Sequence, residues 1–395
     1  MSTRADGRSR PGALLGNPKL RGYISQGLLA AALVGLAAAA IANASTGLRE
    51  ANIASGFGFL SHQSGFAINQ ALIDYTPGVS TYWDAFCVGL INTLVVAVAA
   101  IVLATLIGFT VGIARLSPNW IVAKTARLYV EILRNMPLLL ILFLWYNAVL
   151  KPLPGPRQSL QPMDGVFLNN RGLFLPEIVM DEGAGLVVQA LLFGCLAAIG
   201  FGLWARRKRE GSGRQYRTKS IGAGLVLGLP VLVALATGVP FSLDYPELKG
   251  LSLSGGMQIL PEFVALLIGL STYMATFIAE IVRAGILGVA GGQAEAASAL
   301  GLSRAQTLRH VVIPQAMRLI IPPLTSQYVN LVKNSSLAVA IGYPDLVQVF
   351  MGTVLNQTGQ AIEIVTITMA VYLVISLATS LLMNLYNRSV ALVER

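Results

Sequence analysis

The sequence predicts an all-α integral membrane protein, a polytopic helical bundle with about eight transmembrane helices. Hydrophobic residues make up 55% of its 395 residues and charged residues only 12%, about half of the charged share in an average soluble domain. The apolar residues fall into long runs, and the basic residues gather between alternate runs. A chain of this composition buries most of its length in lipid or against other protein in the membrane.

Eight apolar runs are candidate spans, because a helix needs about 20 mainly apolar residues to cross the hydrocarbon core. They cover residues 27–43, 86–113, 129–150, 185–204, 221–239, 259–281, 319–341 and 362–385. The first run is short and alanine-rich, and it ends in Ala42-Asn43-Ala44, which resembles a signal-peptidase site. A leader of 26 residues is long for a signal peptide and favours a retained helix.

The basic residues predict the topology, since Lys and Arg accumulate in cytoplasmic loops. Nineteen of them lie in the leader, in the loops after the second, fourth and sixth spans and in the tail. Only five lie in the remaining loops. We therefore expect both termini in the cytoplasm. The net charge of +10 is then a topology signal, and nucleic acid is not an expected partner.

Residues 291–323 predict a helical hairpin between the sixth and seventh spans. The stretch from Gln293 to Leu300 is rich in good helix formers, and Gly301 stands where a helix end requires positive φ. Ser303 and Gln306 have the spacing of a capping box, from which a second helix runs toward Pro314. The first helix carries Glu295-Ala296-Ala297, and the small side chains of the two alanines allow another protein to approach the backbone.

This spacing resembles the EAA loop of binding-protein-dependent ABC importer permeases. Glu295-Ala296-Ala297 is followed after three residues by Gly301, and after nine more by Val311-x-Ile313-Pro314. In that family the loop is a coupling helix that docks in a groove of the cytoplasmic ATPase. The resemblance thus assigns coupling to the ATPase to Glu295, Ala296, Ala297, Gly301 and Pro314.

Further motifs resemble the polar amino-acid (His/Glu/Gln) branch of these permeases. They are Asn92-Thr93-Leu94, Leu133-Arg134-Asn135-Met136-Pro137-Leu138, Ser271-Thr272-Tyr273, Ala279-Glu280-Ile281-Val282-Arg283-Ala284-Gly285-Ile286, Pro314-Gln315-Ala316-Met317-Arg318 and Lys333-Asn334-Ser335-Ser336-Leu337. Together they cover residues 89–386 and imply a five-helix permease core.

The resemblance also implies a domain organisation. Residues 1–85 hold the leader, the first helix and an outer loop, and residues 86–390 form the ABC transporter transmembrane domain. A segment at about 151–258, with two extra helices, is an insertion into the family pattern. With the extra first span, it makes the chain most similar to the larger permease subunit of general L-amino-acid transporters for glutamate, glutamine, aspartate and asparagine.

The partners implied are an ABC ATPase, expected as a dimer, a second and shorter permease subunit, a periplasmic amino-acid-binding protein and the lipid bilayer of a bacterial inner membrane. The sequence lacks GxxxxGK[ST] and so has no phosphate-binding loop of its own. Cys87 and Cys195 lie far apart in apolar runs and suggest neither a disulfide nor a metal site. No enzymatic activity, cofactor or metal is expected.

Polar stripes within three spans are candidates for the translocation path, because ionisable groups in a bilayer are costly and mark pathways. The candidate residues are Arg134, Tyr273, Glu280, Asn330, Lys333 and Asn334. The seventh span is the most polar, and Lys333 is suited to meet a substrate carboxylate. The alternative for two acidic residues is pairing within a helix, Glu131 with Arg134 and Glu280 with Arg283.

Prolines supply further expectations. Pro137 should kink the third span, and Pro322 and Pro323 are expected near the start of the seventh, where a missing N–H costs little. Pro152, Pro154, Pro156 and Pro162 disfavour long helices in the following outer loop.

Two other classes of function remain open at this point. An ion-gradient-driven secondary transporter also has polar helices and basic inner loops, although no inverted repeat is visible. A membrane scaffold or a lipid-modifying enzyme is the third class, and the sequence shows no catalytic cluster for the enzyme.

Overall fold

The computed structural model describes residues 18–50, 56–181, 183–212, 217–238, 241–250 and 252–390. Most of these residues are helical, as predicted. The helices are α1 Pro18–Glu50, α2 Tyr82–Ala114, α3 Trp120–Arg134, α4 Leu138–Phe143, α5 Ala184–Ser212, α6 Thr218–Ala223, α7 Leu229–Ala236, α8 Pro261–Leu287, α9 Gly291–Ala299, α10 Arg304–Thr307, α11 Ile313–Asn334, α12 Leu355–Thr358 and α13 Ala361–Val390. The basic leader before residue 18 lies outside the described residues.

Tighter and wider helical turns extend or join several helices. The 3₁₀ segments are Phe57–Ser61, Pro156–Gln158 and Ser335–Ile341. The π segments are Leu144–Leu150, Gly224–Gly228, Leu308–Val312 and Val347–Val354.

All eight predicted spans correspond to helical segments, although they do not all have the length and apolarity of a membrane crossing. Among the described residues, five helices are long and apolar enough, namely Gly22–Ala40, Tyr82–Ala114, Ala184–Ala205, Pro261–Leu287 and Ala361–Asn387. The bent pair at α3 and α4 makes a sixth if it counts as one span. The predicted fifth span is a shorter helix, Ser220–Ala236, and the predicted seventh, in α11, is long enough but more polar.

The predicted third span is two helices that meet at 105°, rather than one kinked helix. Its first half starts earlier than expected, at Trp120, because Asn119 Oδ1 caps the backbone N–H groups of the first turn. The break follows from Pro137, whose extended ψ of 133° and missing N–H end one helix and begin the next.

Short antiparallel strands fill the loops before α5 and after α7, and the first of these loops contains no long helix, as its prolines predicted. The strands are β1 Leu160–Met163, β2 Val166–Asn169, β3 Gly172–Leu175, β4 Glu177–Met180, β5 Phe241–Asp244, β6 Glu247–Lys249, β7 Ser252–Ser254 and β8 Met257–Ile259. They form a four-stranded sheet of order β1-β2-β3-β8 and the pairs β4-β5 and β6-β7. The β3–β8 pairing, with Leu173 opposite Ile259, joins the two ends of the predicted insertion.

The described residues form two compact units, which fall within Met1–Leu90 with Leu346–Leu373 and within Ile91–Asp345 with Val374–Arg395. In the smaller unit, the rings of Phe86 and Phe350 meet edge to face at 5.3 Å. Buried aromatic pairs of this geometry stabilise a core beyond the area that they bury.

In the larger unit, α8 is the central helix and packs against α3, α4 and α11, and α2 approaches it at two glycines. A methyl group on Gly108 would lie 2.6 Å from the side chain of Ile278, and one on Gly112 would lie 2.8 Å from Val282. Ile278 and Val282 are almost completely buried as a result.

Candidate coupling hairpin and polar helix

The first turn of the hairpin closes at Gly301, as the sequence predicted. Gly301 has φ of 77°. Its N–H donates to the carbonyl of Ser298 at 3.0 Å, and the N–H of Leu302 donates to the carbonyl of Ala297 at 3.1 Å. This pair of bonds is a Schellman motif, which satisfies the last carbonyls of α9 and reverses the chain.

The predicted capping box starts the second helix. Ser303 Oγ accepts the N–H of Gln306 at 3.3 Å, and Gln306 Oε1 accepts the N–H of Ser303 at 2.9 Å. The second helix runs toward Pro314, as predicted, and continues beyond it. α10 continues through the π segment Leu308–Val312 into α11. The wider π turn accommodates the proline, which has no N–H to donate and whose ring crowds the preceding turn.

The hairpin exposes most of the residues assigned to coupling. Those exposed are Glu295, Ala296, Gly301 and Pro314. Ala297 is only 4% exposed and points into the hairpin, so it supports the turn rather than the outer surface. Leu300, which sequence reasoning did not select, is 82% exposed beside Gly301. The sequence signal that could have selected Leu300 is its position directly before Gly301, the glycine that ends the helix.

Helix α11 has one face against protein and one polar face that the described residues leave uncovered. Its buried residues are Ala316, Ile320, Ile321, Leu324, Leu331 and Val332, and they lie on the side that packs on α8. On the other side Ser326, Asn330 and Lys333 are exposed. Asn334 is half-buried, and its Nδ2 donates weakly to Met274 Sδ at 3.7 Å.

Pro322 and Pro323 correct a second expectation, because they lie inside α11 rather than near its start. Both are exposed on the uncovered face. The earlier start of the continuous helix explains the difference. A proline inside a helix removes one backbone hydrogen bond, so this face also carries carbonyl groups without their usual helical partners.

One predicted ion pair is present and the other is wrong. Arg283 Nη2 donates to Glu280 Oε1, and Arg115 Nη1, from the end of α2, donates to Glu280 Oε2. In the part of the chain that the structure describes, Glu131 and Arg134 form no ion pair. The Arg134 guanidinium instead lies over the ring of Phe277, 5.3 Å from its centroid.

The aromatic ring of Phe277 brings two candidate path residues to one place. It meets the ring of Tyr273, on the same helix, edge to face at 5.2 Å. The guanidinium of Arg134, from α3, lies over its face. Within the described residues, Glu280 bonds to Arg115 and Arg283 and to neither Asn330 nor Lys333. The candidates therefore form separate groups, the charged group at Glu280, the Phe277 group, and the polar face of α11.

A bundle of membrane-length helices with one polar face and an exposed hairpin defines a membrane transport subunit. The chain belongs to the family described as binding-protein-dependent transport system inner membrane component, which matches residues 100–392. The resemblance drawn from the sequence motifs is thereby confirmed, as is the helical membrane fold.

Curated relatives match nearly the whole chain. The putative amino-acid ABC transporter permease protein YhdX of Escherichia coli strain K12 is 50% identical over 96% of both chains. The general L-amino acid transport system permease protein AapQ of Rhizobium johnstonii is 49% identical over 96% of this chain and 94% of its own. The glutamate/glutamine/aspartate/asparagine transport system permease protein BztB of Rhodobacter capsulatus is 40% identical over 86% of both chains.

Membership of this family defines the chemistry that the chain lacks and the partners that it needs. It is a multi-pass membrane subunit of an ABC transporter and not itself an enzyme, since a partner ATPase hydrolyses the nucleotide. The family works with a solute-binding protein, as its description states.

Proposed function

We propose that the chain is a permease subunit of an ABC importer for polar L-amino acids of the glutamate, glutamine, aspartate and asparagine class. The relatives named for general L-amino-acid transport and for these four amino acids support the substrate class. The observation that carries the mechanism is the continuity of the exposed hairpin with the polar helix α11. The subunit lies in a bacterial inner membrane with both termini in the cytoplasm, an orientation supported by the distribution of basic residues.

The hairpin is the part that receives force from the ATPase. Glu295, Ala296, Gly301 and Pro314 form its exposed surface together with Leu300, and Ala297 holds the turn from inside. The Schellman motif and the capping box provide hydrogen bonds for most of the backbone groups between α9 and α10. A short, rigid turn of this kind moves as one body when a partner pushes it.

Helix continuity carries that movement into the membrane. The helical path from Arg304 to Asn334 spans roughly 45 Å at 1.5 Å per residue. Because α11 packs along α8 through its apolar face, a displacement of the hairpin shifts the polar face relative to the rest of the bundle. We infer that this shift opens and closes the translocation path.

The polar face of α11 borders that path, with Asn330, Lys333 and Asn334 as the residues closest to substrate. Exposed polar groups in lipid would cost several kcal/mol each, so this face belongs against water or a partner. Lys333 pairs with the substrate carboxylate. Every amino acid has that group, so Lys333 supports binding without choosing between acidic and neutral substrates.

The other candidate path residues act around this face. Arg134 and Tyr273, joined at the Phe277 ring, shape the wall of the path. Glu280 is held by two arginines, and we assign it to fixing α2 against α8 at the end of the path rather than to substrate.

The uncovered polar face supports a second permease subunit, which closes the path from the other side. The unusual insertion supports a shorter related partner and hence a heterodimer. A dimer of ATPase subunits binds the two hairpins, and a periplasmic binding protein delivers the amino acid. We propose residues 86–390 as the transmembrane domain, with residues 1–85 and the inserted segment 151–258 as additions to it.

Reconstitution tests this function. The purified permease pair, ATPase and binding protein are placed in liposomes, and uptake of labelled glutamate and glutamine is measured. We expect accumulation that requires both internal ATP and the binding protein. Accumulation driven by a sodium or proton gradient without ATP would overturn the proposal and restore the secondary transporter. Liposomes that hold the permease pair alone serve as the control and should accumulate nothing.

A further inference from the structure

A groove of about 580 Å³ lies beside the hairpin, and neither Glu295 nor Leu300 is among the residues that line it. It is bounded by the end of α2 and the turn that follows, the start of α3, the last turn of α8 and the hairpin itself. Both α2 and α8 are membrane-length helices, so the groove lies where they leave the bilayer. Its volume falls within the range of ordinary small-molecule sites.

The walls of the groove are aliphatic and only half covered. Ile113, Val122, Leu308 and Ile313 line it, and each side chain is between 42% and 55% exposed in this chain. Aliphatic side chains at the level of lipid headgroups gain by contact with an apolar chain, which removes them from water.

One polar side chain in the wall of this groove is buried and lacks a hydrogen-bond partner among the described residues. Thr307 is only 6% exposed and lines the groove, yet its Oγ1 makes no hydrogen bond to any residue that the structure describes. Other helical threonines of this chain donate to the carbonyl four residues earlier, as Thr105 does to Ile101 and Thr368 to Ile364. A buried hydroxyl without a partner is costly, so a ligand with an acceptor oxygen fits the site.

The groove also carries one positive charge. Arg304 lines it and has no acidic partner within the described residues. An aliphatic wall, a free hydroxyl and a guanidinium at the edge match an amphiphile with an apolar chain, ester oxygens and an anionic head. At the bilayer surface, the molecule with this chemistry is an anionic phospholipid.

We propose that this groove binds one acyl chain of an anionic phospholipid from the cytoplasmic leaflet. Thr307 donates to an ester oxygen of that lipid, and Arg304 faces its phosphate. The inference goes beyond the proposed function and rests on it for placing the hairpin on the cytoplasmic side and for the movement that the ATPase imposes on the hairpin. A bound chain wedges between the hairpin and the α2–α3 turn. The lipid therefore sets how freely the hairpin moves when the ATPase pushes it.

Photolabelling of the full assembly in lipid nanodiscs tests the site. The probe is phosphatidylglycerol with a diazirine at the end of one acyl chain, and labelled peptides are mapped by mass spectrometry. We expect the peptides spanning residues 113–122 and 304–313 to be labelled at least fivefold more than peptides of the lipid-exposed helix α5. The matching phosphatidylcholine probe should label them at least threefold less. Labelling needs neither ATP nor amino acid, so its outcome is separate from that of the uptake experiment.

Three variants sharpen the test. Ala294→Leu adds volume to the groove wall, and leucine is a good helix former. This variant should lower labelling at least fivefold. Thr307→Val keeps the shape of the side chain and removes the hydroxyl, and should lower it at least twofold. Arg304→Gln should abolish the preference for phosphatidylglycerol. Leu191→Ala, on α5, is the control and should leave the two peptides labelled as before.

Several results would overturn the proposal. One is labelling of the two peptides no stronger than that of α5. Another is full labelling of both Ala294→Leu and Thr307→Val in assemblies that retain their melting temperature. A free diazirine fatty acid that labels the groove and displaces the phospholipid would assign the site to fatty acids instead. Protection of both peptides by the ATPase in every lipid would assign the groove to that protein.

Discussion

Arg115 Nη1 lies 2.5 Å from Glu280 Oε2, which ties the end of α2 to the last third of α8. Glu280 uses its other oxygen for Arg283, one helical turn along α8. The Arg115 side chain is only 13% exposed, so its charge depends on this carboxylate. The single acidic residue thus neutralises two arginines at the point where two membrane-length helices end.

Loss of Glu280 should therefore cost more stability than loss of either arginine. We expect Glu280→Ala to lower the free energy of unfolding by about 2–4 kcal/mol, since it leaves a poorly solvated arginine without a counter-charge. Arg283→Ala should cost about 1 kcal/mol or less, because its side chain is 32% exposed and Glu280 keeps Arg115. Thermal melting of the purified assembly measures both. Equal losses in the two variants would contradict a shared carboxylate.

Charge reversal at Glu295 should uncouple ATP hydrolysis from transport. Glu295 is exposed on α9 and bonds to no residue in the described part of the chain, so Glu295→Lys leaves the fold intact and changes only the docking surface. We expect uptake to fall more than tenfold while insertion in the membrane and melting temperature stay the same. Gln293→Lys is the matched control, since Gln293 is exposed on the same helix but lies toward Gln315. If both variants transport normally, the hairpin is only a connector.

The turn at Gly301 should tolerate asparagine and reject valine. No atom lies within 4 Å of the Cβ position at Gly301, so only its φ of 77° matters. Asparagine adopts this conformation more readily than other residues, whereas a β-branched residue pays at least about 1–2 kcal/mol. We expect Gly301→Val to reduce coupled uptake at least fivefold and Gly301→Asn less than twofold. Binding of the ATPase to the permease pair, measured by pull-down, should follow the same order. Similar losses in both variants would rule out a conformational role.

Removal of the charge at Lys333 should weaken substrate binding within the membrane. Lys333→Met keeps the length of the side chain and should raise the KM for uptake about tenfold for glutamate and glutamine alike, a loss of about 1.4 kcal/mol in transition-state binding. Lys333→Arg keeps the charge and should retain most activity. The control is Lys124→Met, which removes a positive charge from α3, a helix that lies far from Lys333 in the sequence. A loss confined to glutamate would mean that Lys333 reads the side-chain carboxylate instead.

Close packing of α2 on α8 makes Gly108 intolerant of even one methyl group. Gly108→Ala places Cβ 2.6 Å from Ile278, and overpacking of this kind costs about 1–3 kcal/mol. Gly200→Ala in α5, where no atom lies within 4 Å, should be neutral or slightly stabilising because alanine is the better helix former. The difference in melting temperature between the two variants is the measurement. Identical melting temperatures would show that the two helices adjust without cost.

Local signals in the sequence predicted the hairpin well. Gly301, Ser303 and Gln306 act through bonds to residues within five positions, so their geometry follows from spacing alone. The continuity of the second helix did not follow, because Pro314 normally argues for a helix end and the π turn that accommodates it has no sequence signature. The misplaced Pro322 and Pro323 are a direct result.

Contacts between distant segments account for the other differences. Glu131 and Arg134 have a spacing suited to a salt bridge, but Phe277 on another helix offers Arg134 a ring face instead. The sequence indicates only a topological role for Arg115, in the basic loop after the second span, since nothing near it in sequence points to Glu280. The eight strands were missed because each has three or four residues and most are exposed, which leaves little hydrophobic alternation to detect.

The helix from Arg304 to Lys333 runs through the π segment without a loop, so the number of residues between the hairpin and the proposed path sets their relative orientation. Adding one residue anywhere along it would turn Lys333 by about 100° about the helix axis, away from the proposed path. Chimeric transporters that exchange this stretch must therefore preserve its length residue for residue, however similar their surfaces. Two relatives in which this stretch has the same number of residues should give working chimeras when it is exchanged. Two in which it differs by one residue should not.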